Sequence, residues 1–360
     1  MSYTVPIGPY HPALEEPVHV KLYTEGEVIK DADVFIGYNH RGIEKLATER
    51  NHIQTITLVE RVCGICSHSH ALTYCLALEK IAGMEVPKRG QYVRVAICEL
   101  ERLHSHFLWL GLVGHLIGFD SAFMYTFDAR EKVMEMLEML TGNRVNYAMN
   151  IVGGARRDFT DEQLKLLLKM LDELEEPLKN IKNILGTDKT TALRSKGVGV
   201  LPRDIAWLYG ACGPHGRASG IKDDVRKIDP YICYEDFDFK AISFDEGDIF
   251  SRVLVRILEA EESVKILRQV AKNMPDTGLN LGIKLPKVPL GETCVRIEAP
   301  RGEVTYYVVS NGKQNPHRVN IHVPTFKNAA TVPAMLKGNS VADAGLIVAS
   351  IDPCFSCLDR

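Results

Sequence analysis

Two CxxC pairs at opposite ends of the chain constrain its fold more than any other feature. Cys63 and Cys66 lie in Arg61-Val62-Cys63-Gly64-Ile65-Cys66-Ser67-His68-Ser69-His70, and Cys354 and Cys357 in Asp352-Pro353-Cys354-Phe355-Ser356-Cys357-Leu358-Asp359-Arg360. A CxxC so near a terminus is an oxidation liability unless something holds it. Four thiolates brought together make a soft, electron-rich site for a thiophilic metal. For that to happen, the C-terminal segment has to be drawn into the core and the site closed late in folding or assembly.

Spacing alone leaves three readings open: a structural zinc site, another thiolate metal centre, or unrelated cysteines. Zinc knuckles usually keep their ligands within a few tens of residues, and a thiol–disulfide redox site needs only one CxxC near a βαβ pattern. Cys63 and Cys66 stand just before a helical stretch, whose N-terminal N–H groups favour thiolates. Nine cysteines is an odd count without the dense pattern of secreted domains, which implies a reducing compartment. Cys75, Cys98, Cys212, Cys233 and Cys294 stand alone and read as buried small hydrophobes.

A single mostly helical unit over 1–360 is expected, mainly α, a multihelical bundle with small peripheral β-hairpins. It has a β-rich segment over about 1–40, a helical core over about 41–275, and a β-rich segment with a buried tail over about 290–360. Alternation around Glu25-Gly26-Glu27 predicts a hairpin over 17–36. Helices are predicted over 43–60, 67–83, 89–117, 122–141, 161–185 and 246–274. In the fifth, leucines recur at helical spacing, Thr160 and Gln163 form a capping box, and Pro177 is expected to break or kink the helix. Strands are predicted over 293–299, 303–310 and 318–323.

A net charge of −3 gives no reason to expect nucleic acid or an anionic membrane as a direct partner. The N-terminus lacks the pattern of a secretory signal. The most apolar stretch, 107–119, is well short of the roughly 20 residues needed to span a bilayer. The chain is therefore expected to be soluble, with any membrane attachment coming through partners.

Arg61-x-Cys63-Gly64-x-Cys66-x-x-x-His70 and Asp352-Pro353-Cys354-x-x-Cys357-x-x-Arg360 resemble the first and last signatures of nickel–iron hydrogenase large subunits. Gly8-Pro9-Tyr10-His11-Pro12, His40-Arg41-Gly42-Ile43-Glu44-Lys45, Gly153-Gly154-Ala155-Arg156-Arg157-Asp158 and Ser219-Gly220-Ile221-Lys222-Asp223-Asp224-Val225-Arg226 resemble the quinone-site subunit of respiratory complex I. The combination resembles the membrane-bound, energy-converting (Ech-type, group 4) hydrogenases. The carbon monoxide-linked hydrogenases are the neighbouring alternative, and a metal-free complex I-like scaffold subunit or a structural zinc protein are the rivals.

The resemblance implies a Ni-Fe(CN)2(CO) centre. Cys63 and Cys354 would be terminal nickel ligands, Cys66 and Cys357 would bridge nickel and iron, and Cys354 would be the base for the proton. Arg301 would overhang the centre, oriented by Asp352. His70 would hydrogen-bond a bridging sulfur. Glu16, or its neighbour Glu15, would relay protons outward. Glu44 corresponds to a carboxylate that helps hold magnesium in other groups, with an ion pair to Arg360 as the alternative. No role is assigned to Glu101-Arg102-Leu103. Iron–sulfur clusters would reside only in partners. These are a small subunit with a 4Fe-4S cluster, ferredoxin-like and complex I-like hydrophilic subunits, integral membrane ion-translocating subunits, and ferredoxin. The assembly would sit on the cytoplasmic face of the cell membrane.

Overall fold

The computed structural model describes residues 2–12, 14, 16–283 and 288–360. An antiparallel sheet opens the chain, with β1 (Ser2–Ile7), β2 (His19–Glu25) and β3 (Val28–Phe35) in that order. The β2–β3 hairpin is the expected one, and Val20, Leu22 and Thr24 bury alternate positions of β2. β1 falls in the segment expected to be β-rich, but no strand is predicted there, because only a few of its side chains are even half-buried. It lies at the sheet edge, where the missing N–H of Pro6 is tolerated.

The single helix expected over 43–60 is two helices, α1 (Ile43–Thr48) and α2 (His52–Glu60). Asn51 breaks them. Its backbone is extended, its side chain accepts the Gln54 N–H, and the Gln54 side chain accepts the Asn51 N–H in return. Such reciprocal capping starts a new helix instead of continuing an old one.

α3 (Ser67–Ala82), α4 (Lys88–Leu116) and α5 (Asp120–Thr141) follow close to expectation. The apolar stretch 107–119 falls mainly within α4 and is mostly buried there. Among the described residues, no helix is long and apolar enough to cross a membrane. Gly111 lets α4 and α5 approach, since a Cβ there would stand 2.8 Å from the Phe127 ring. A short pair, β4 (Asn150–Ile151) and β5 (Gly154–Ala155), comes next.

α6 (Asp161–Gly186) begins at the expected Thr160–Gln163 capping box and runs unbroken through Pro177. A proline inside a helix costs about 3 kcal/mol. Leu164, Leu167, Leu171, Leu174, Leu178, Ile181 and Leu185 are all buried on one face. Each contributes roughly 1.5–3 kcal/mol by burial, so packing against α5 and, further along, α11 (Ile249–Lys272) outweighs the break.

Between α6 and α11 lie α7 (Lys189–Ser195), α8 (Arg203–Tyr209), α9 (Gly213–Arg217) and α10 (Val225–Ile228). These are too short to leave a periodic signal. β6 (Leu290–Ala299), β7 (Gly302–Asn311) and β8 (Arg318–His322) form the expected second sheet. The chain closes through α12 (Pro324–Ala329), α13 (Val332–Leu336), α14 (Ala344–Ser350) and α15 (Phe355–Asp359). α3 packs on β6 and β7, and α14 packs on α4. Cys75, Cys98, Cys212 and Cys233 are buried as expected, whereas Cys294 is exposed on β6.

Candidate metal centre

The loop between α2 and α3 carries the first CxxC. Cys63 Sγ accepts the N–H groups of Ile65 (3.2 Å) and Cys66 (3.4 Å), so the loop curls around this sulfur. Cys66 occupies the N-cap of α3. The second pair is presented by a turn in which Asp352 has φ +55°, and Cys354 is the N-cap of α15. The Cys354 N–H donates to Thr325 Oγ1 on α12 (3.1 Å).

The two ends of the chain meet here. Cys354 Sγ lies 3.4 Å from Cys63 Sγ and 3.0 Å from Cys357 Sγ, and Cys66 Sγ lies 3.6 Å from Cys357 Sγ. All four are buried free thiols. Cys63, Cys66 and Cys357 converge closely enough to share one ion, and Cys354 joins them through Cys63 and Cys357. Hydrogen bonds from Cys354, Cys357 and Cys66, helped by Arg301, hold the Cys63 thiol well below its usual range. Burial pushes Cys357 well up. A bound cation would displace the protons that these thiols carry. Four soft donors with no carboxylate among them suit nickel, iron or zinc.

One guanidinium ties the two CxxC segments together. Arg41 Nη2 donates to the carbonyls of Val62 (2.8 Å) and Ser356 (2.7 Å), and Nη1 donates to that of Arg61 (3.1 Å). The Asp359 carboxylate accepts the Gly37 and Asn39 N–H groups at 3.0 and 2.9 Å, pinning the tail to the same loop. Sequence reasoning gave Arg41 no role.

Arg301 sits in the β6–β7 turn. Its Nε donates to Asp352 Oδ1 (2.8 Å) and to the Asp352 carbonyl (3.0 Å), while Nη2 lies 2.7 Å from Oδ1. Its Nη1 is buried without a partner among the described residues. Gly213 makes room for this turn: a Cβ there would stand 2.3 Å from the Arg301 carbonyl. Arg256 Nη2 approaches the other Asp352 oxygen at 3.6 Å, and its guanidinium stacks 3.8 Å from the Trp109 ring. An arginine fixed on one edge with a free donor on the other fits strong anionic ligands on a neighbouring metal.

His70 Nε2 lies 3.4 Å from Cys357 Sγ, and Nδ1 lies 2.8 Å from the Tyr306 hydroxyl. Burial holds this histidine down to about 4, so the ring is neutral. Burial pushes the Tyr306 phenol well up, keeping it a donor. Nδ1 therefore accepts from Tyr306, and Nε2–H donates to the sulfur. Tyr306 belongs to an alternating strand and gave no separate sequence signal.

Glu16 Oε2 accepts the Ser356 N–H at 2.8 Å, between the two terminal cysteines. Burial raises its pKa, against the bond from Ser356 and the charge of Arg301. Glu15 lies outside the described residues. Glu44 Oε1 accepts from Arg360 Nε (2.8 Å) and the Ile321 N–H (2.8 Å), so the carboxylate is occupied by the ion pair, the alternative to magnesium.

Glu101 was passed over. It is fully buried on α4 and accepts the His68 N–H (2.7 Å), the Ser69 N–H (3.1 Å) and the Ser69 hydroxyl (2.5 Å) in the first turn of α3. A signal existed: a helix buried on nearly all faces that carries Glu99, Glu101 and Arg102 has to find partners for them.

The fold and this cluster define a large subunit of a redox complex. The family model described as "Respiratory-chain NADH dehydrogenase, 49 Kd subunit" matches residues 117–285 and 280–360, and that of "Nickel-dependent hydrogenase" matches 41–120. The chain is 42% identical to the "Carbon monoxide-induced hydrogenase" of Rhodospirillum rubrum over 100% of this chain and 99% of that protein. It is also 42% identical to "Membrane-bound hydrogenase subunit alpha" of Pyrococcus furiosus, over 99% of this chain and 87% of that one. A solved structure of the membrane-bound sulfane sulfur reductase, an archaeal respiratory membrane complex, contains a chain that superposes with a TM-score of 0.94 at 33% identity. That match covers 100% of this chain and 98% of the other. The chain belongs to the family that unites membrane-bound hydrogenase large subunits with the 49-kDa subunit of complex I.

Proposed function

We propose that this chain is the catalytic subunit of an energy-converting hydrogenase, with Cys63, Cys66, Cys354 and Cys357 holding a nickel–iron centre. The observation that carries this reading is the buried four-sulfur cluster joined from both chain ends. The unpartnered Arg301 Nη1 beside it supports cyanide ligands on the iron. When bound, the centre supplies the redox chemistry that interconverts hydrogen with protons and electrons. The remaining work falls to the chain. Cys354 is the base, and the charge of Glu16 reaches it. Glu16, already shifted toward its protonated form by burial, takes the proton on toward the surface. His70 donates to the Cys357 sulfur and fixes its orientation.

Electrons leave through a partner small subunit with a 4Fe-4S cluster and reach ferredoxin. Membrane subunits couple the reaction to ion movement, with this chain peripheral on the cytoplasmic face. A metal-free complex I-like subunit is the second reading, favoured by the breadth of the 49-kDa match. The test is an infrared spectrum of the purified complex with its nickel content. One carbonyl and two cyanide bands with stoichiometric nickel are expected, all lost in Cys357→Ser. Zinc with no such bands overturns the hydrogenase reading, and hydrogen production unchanged in Cys357→Ser rules out this site.

A further inference from the structure

Apart from Glu16, buried polar groups near the sulfur cluster are supplied by α4 and by the segment after α5. Glu101 is the first of them. Its three donors are neutral groups of the first turn of α3, and no cation donates to it among the described residues. Two further buried groups belong to this set. The Tyr147 hydroxyl has no partner among the described residues, and the charges of Glu101, Arg130, Cys63 and Cys66 all reach it. His104 Nε2 lies 2.7 Å from Arg130 Nη2 and accepts from it, which leaves the proton on Nδ1, also unpartnered. His104 lies within electrostatic reach of Cys63 and Arg301. Arg130 itself is only partly buried, so the set reaches toward solvent. Buried polar groups of this kind bind one another or ordered water.

We infer that Glu101, with Tyr147 and His104, forms a second proton-transfer station, carrying protons between the Cys63 side of the cluster and the surface at Arg130. The inference rests on the hydrogenase reading. The proton leaves a cluster sulfur and joins the Glu101 carboxylate, giving the neutral acid. It is then released to solvent while the carboxylate re-forms, and no electron moves in this step.

A carboxylate serving only as a borrowed cap for α3 would be held ionised by its donors and the helix dipole. Burial instead pushes Glu101 up to about 8, against the bonds from Ser69 and His68 and with the charge of Cys63 adding to the rise. The ionisable groups facing it are His68 from α3, held neutral by burial, Cys63 from the α2–α3 loop, and Tyr147. Cys98 lies on its own helix.

The test uses the intact complex carrying Glu101→Gln, which keeps a carbonyl acceptor for the α3 N–H groups but cannot titrate. Nickel content and carbonyl and cyanide bands should match the wild type. Exchange of deuterium gas with water should slow by at least about tenfold. The fall in wild-type hydrogen evolution as pH rises through about 8 should disappear in Glu101→Gln and return in Glu101→Asp. Intact bands with an unchanged exchange rate and pH profile reduce Glu101 to a helix cap and overturn the inference. A wild type without carbonyl and cyanide bands overturns the hydrogenase reading itself. If Glu101→Gln fails to take up metal, Tyr147→Phe decides: slowed exchange with intact bands upholds the route, and unchanged exchange ends it.

Discussion

Asp352→Asn tests whether the cluster is roofed by a buried charge network. Asp352 is buried and lies between Arg301 and Arg256, both buried as well. Asparagine keeps the shape and one acceptor for Arg301 Nε but removes the only carboxylate paired with either arginine among the described residues. Burial already pulls Arg256 down to about 10, a measure of how poorly this pocket solvates a cation. Breaking one member out of a buried pair costs about 3–5 kcal/mol, and the retained hydrogen bond points to the lower end, about 3 kcal/mol. A chain of 360 residues unfolds with roughly 2.1 cal/mol/K per residue, or about 0.76 kcal/mol/K in total. The loss therefore lowers Tm by about 4 °C. Scanning calorimetry of wild type and variant at pH 7 measures it. The shift should persist at high salt, because buried pairs are little screened. A shift below about 1 °C, or one erased by salt, would refute the argument that these charges are buried and mutually dependent.

Tyr306→Phe frees His70 Nδ1 and leaves it unsatisfied in a dry pocket; destabilisation of about 1–3 kcal/mol is expected in denaturant melts, with a shift of the cyanide bands as His70 loses its fixed tautomer. Asn51→Ala removes the capping box between α1 and α2 and should cost about 1 kcal/mol by the same melts without changing metal content. Glu16→Gln carries a sign that pH reveals. The folded-state pKa of Glu16 is raised, so its stability contribution is present below the unfolded value near 4.5 and is lost as pH rises through the folded value. The Gln variant should therefore melt close to wild type in acid and above it at neutral pH; a variant that gains nothing on raising pH contradicts the burial of this carboxylate.

The long helices were legible because their apolar spacing is locally written, and the stripe from Leu164 to Leu185 lies buried where its period placed it. The misreadings share one cause: a local signal outvoted by another term. Asn51 is one residue in an otherwise helical run, yet its cap decides the boundary. Pro177 reads as a breaker until the burial of seven side chains is set against it. At the site, the four cysteines could be named because their type and spacing carry chemistry, whereas His70, Arg301 and Asp352 are named only through the resemblance of their motifs to a known family. Arg41 and Tyr306 could be named by neither route, since their roles exist only once Val62, Ser356 and His70 have been brought to them by distant parts of the chain.

That difference bears on how function should be read in this family. Family models of a complex I subunit and of a hydrogenase both match this chain, so the fold cannot choose between them, and only the site can. The supporting parts around the cluster reach it from every layer: Arg301 from the β6–β7 turn, Tyr306 from β7, Arg256 from α11, Arg41 from the loop before α1. None of these contacts needs a metal to form, since they bind carbonyls, a carboxylate and a ring nitrogen. Yet the tail they grip supplies two of the four sulfurs, and its only covalent tie is to the end of a chain whose other CxxC is 291 residues away. Metal binding and tail docking must then reinforce each other, because each lowers the entropy cost of the other. Arg41→Ala separates the two. It leaves all four sulfurs in place but removes the clip across both CxxC segments. If the scaffold is preformed, the variant should take up nickel slowly yet reach full occupancy, followed by metal analysis over time. If it never fills, the clip is part of what makes the site, and the four cysteines alone are not a sufficient signature of a working centre.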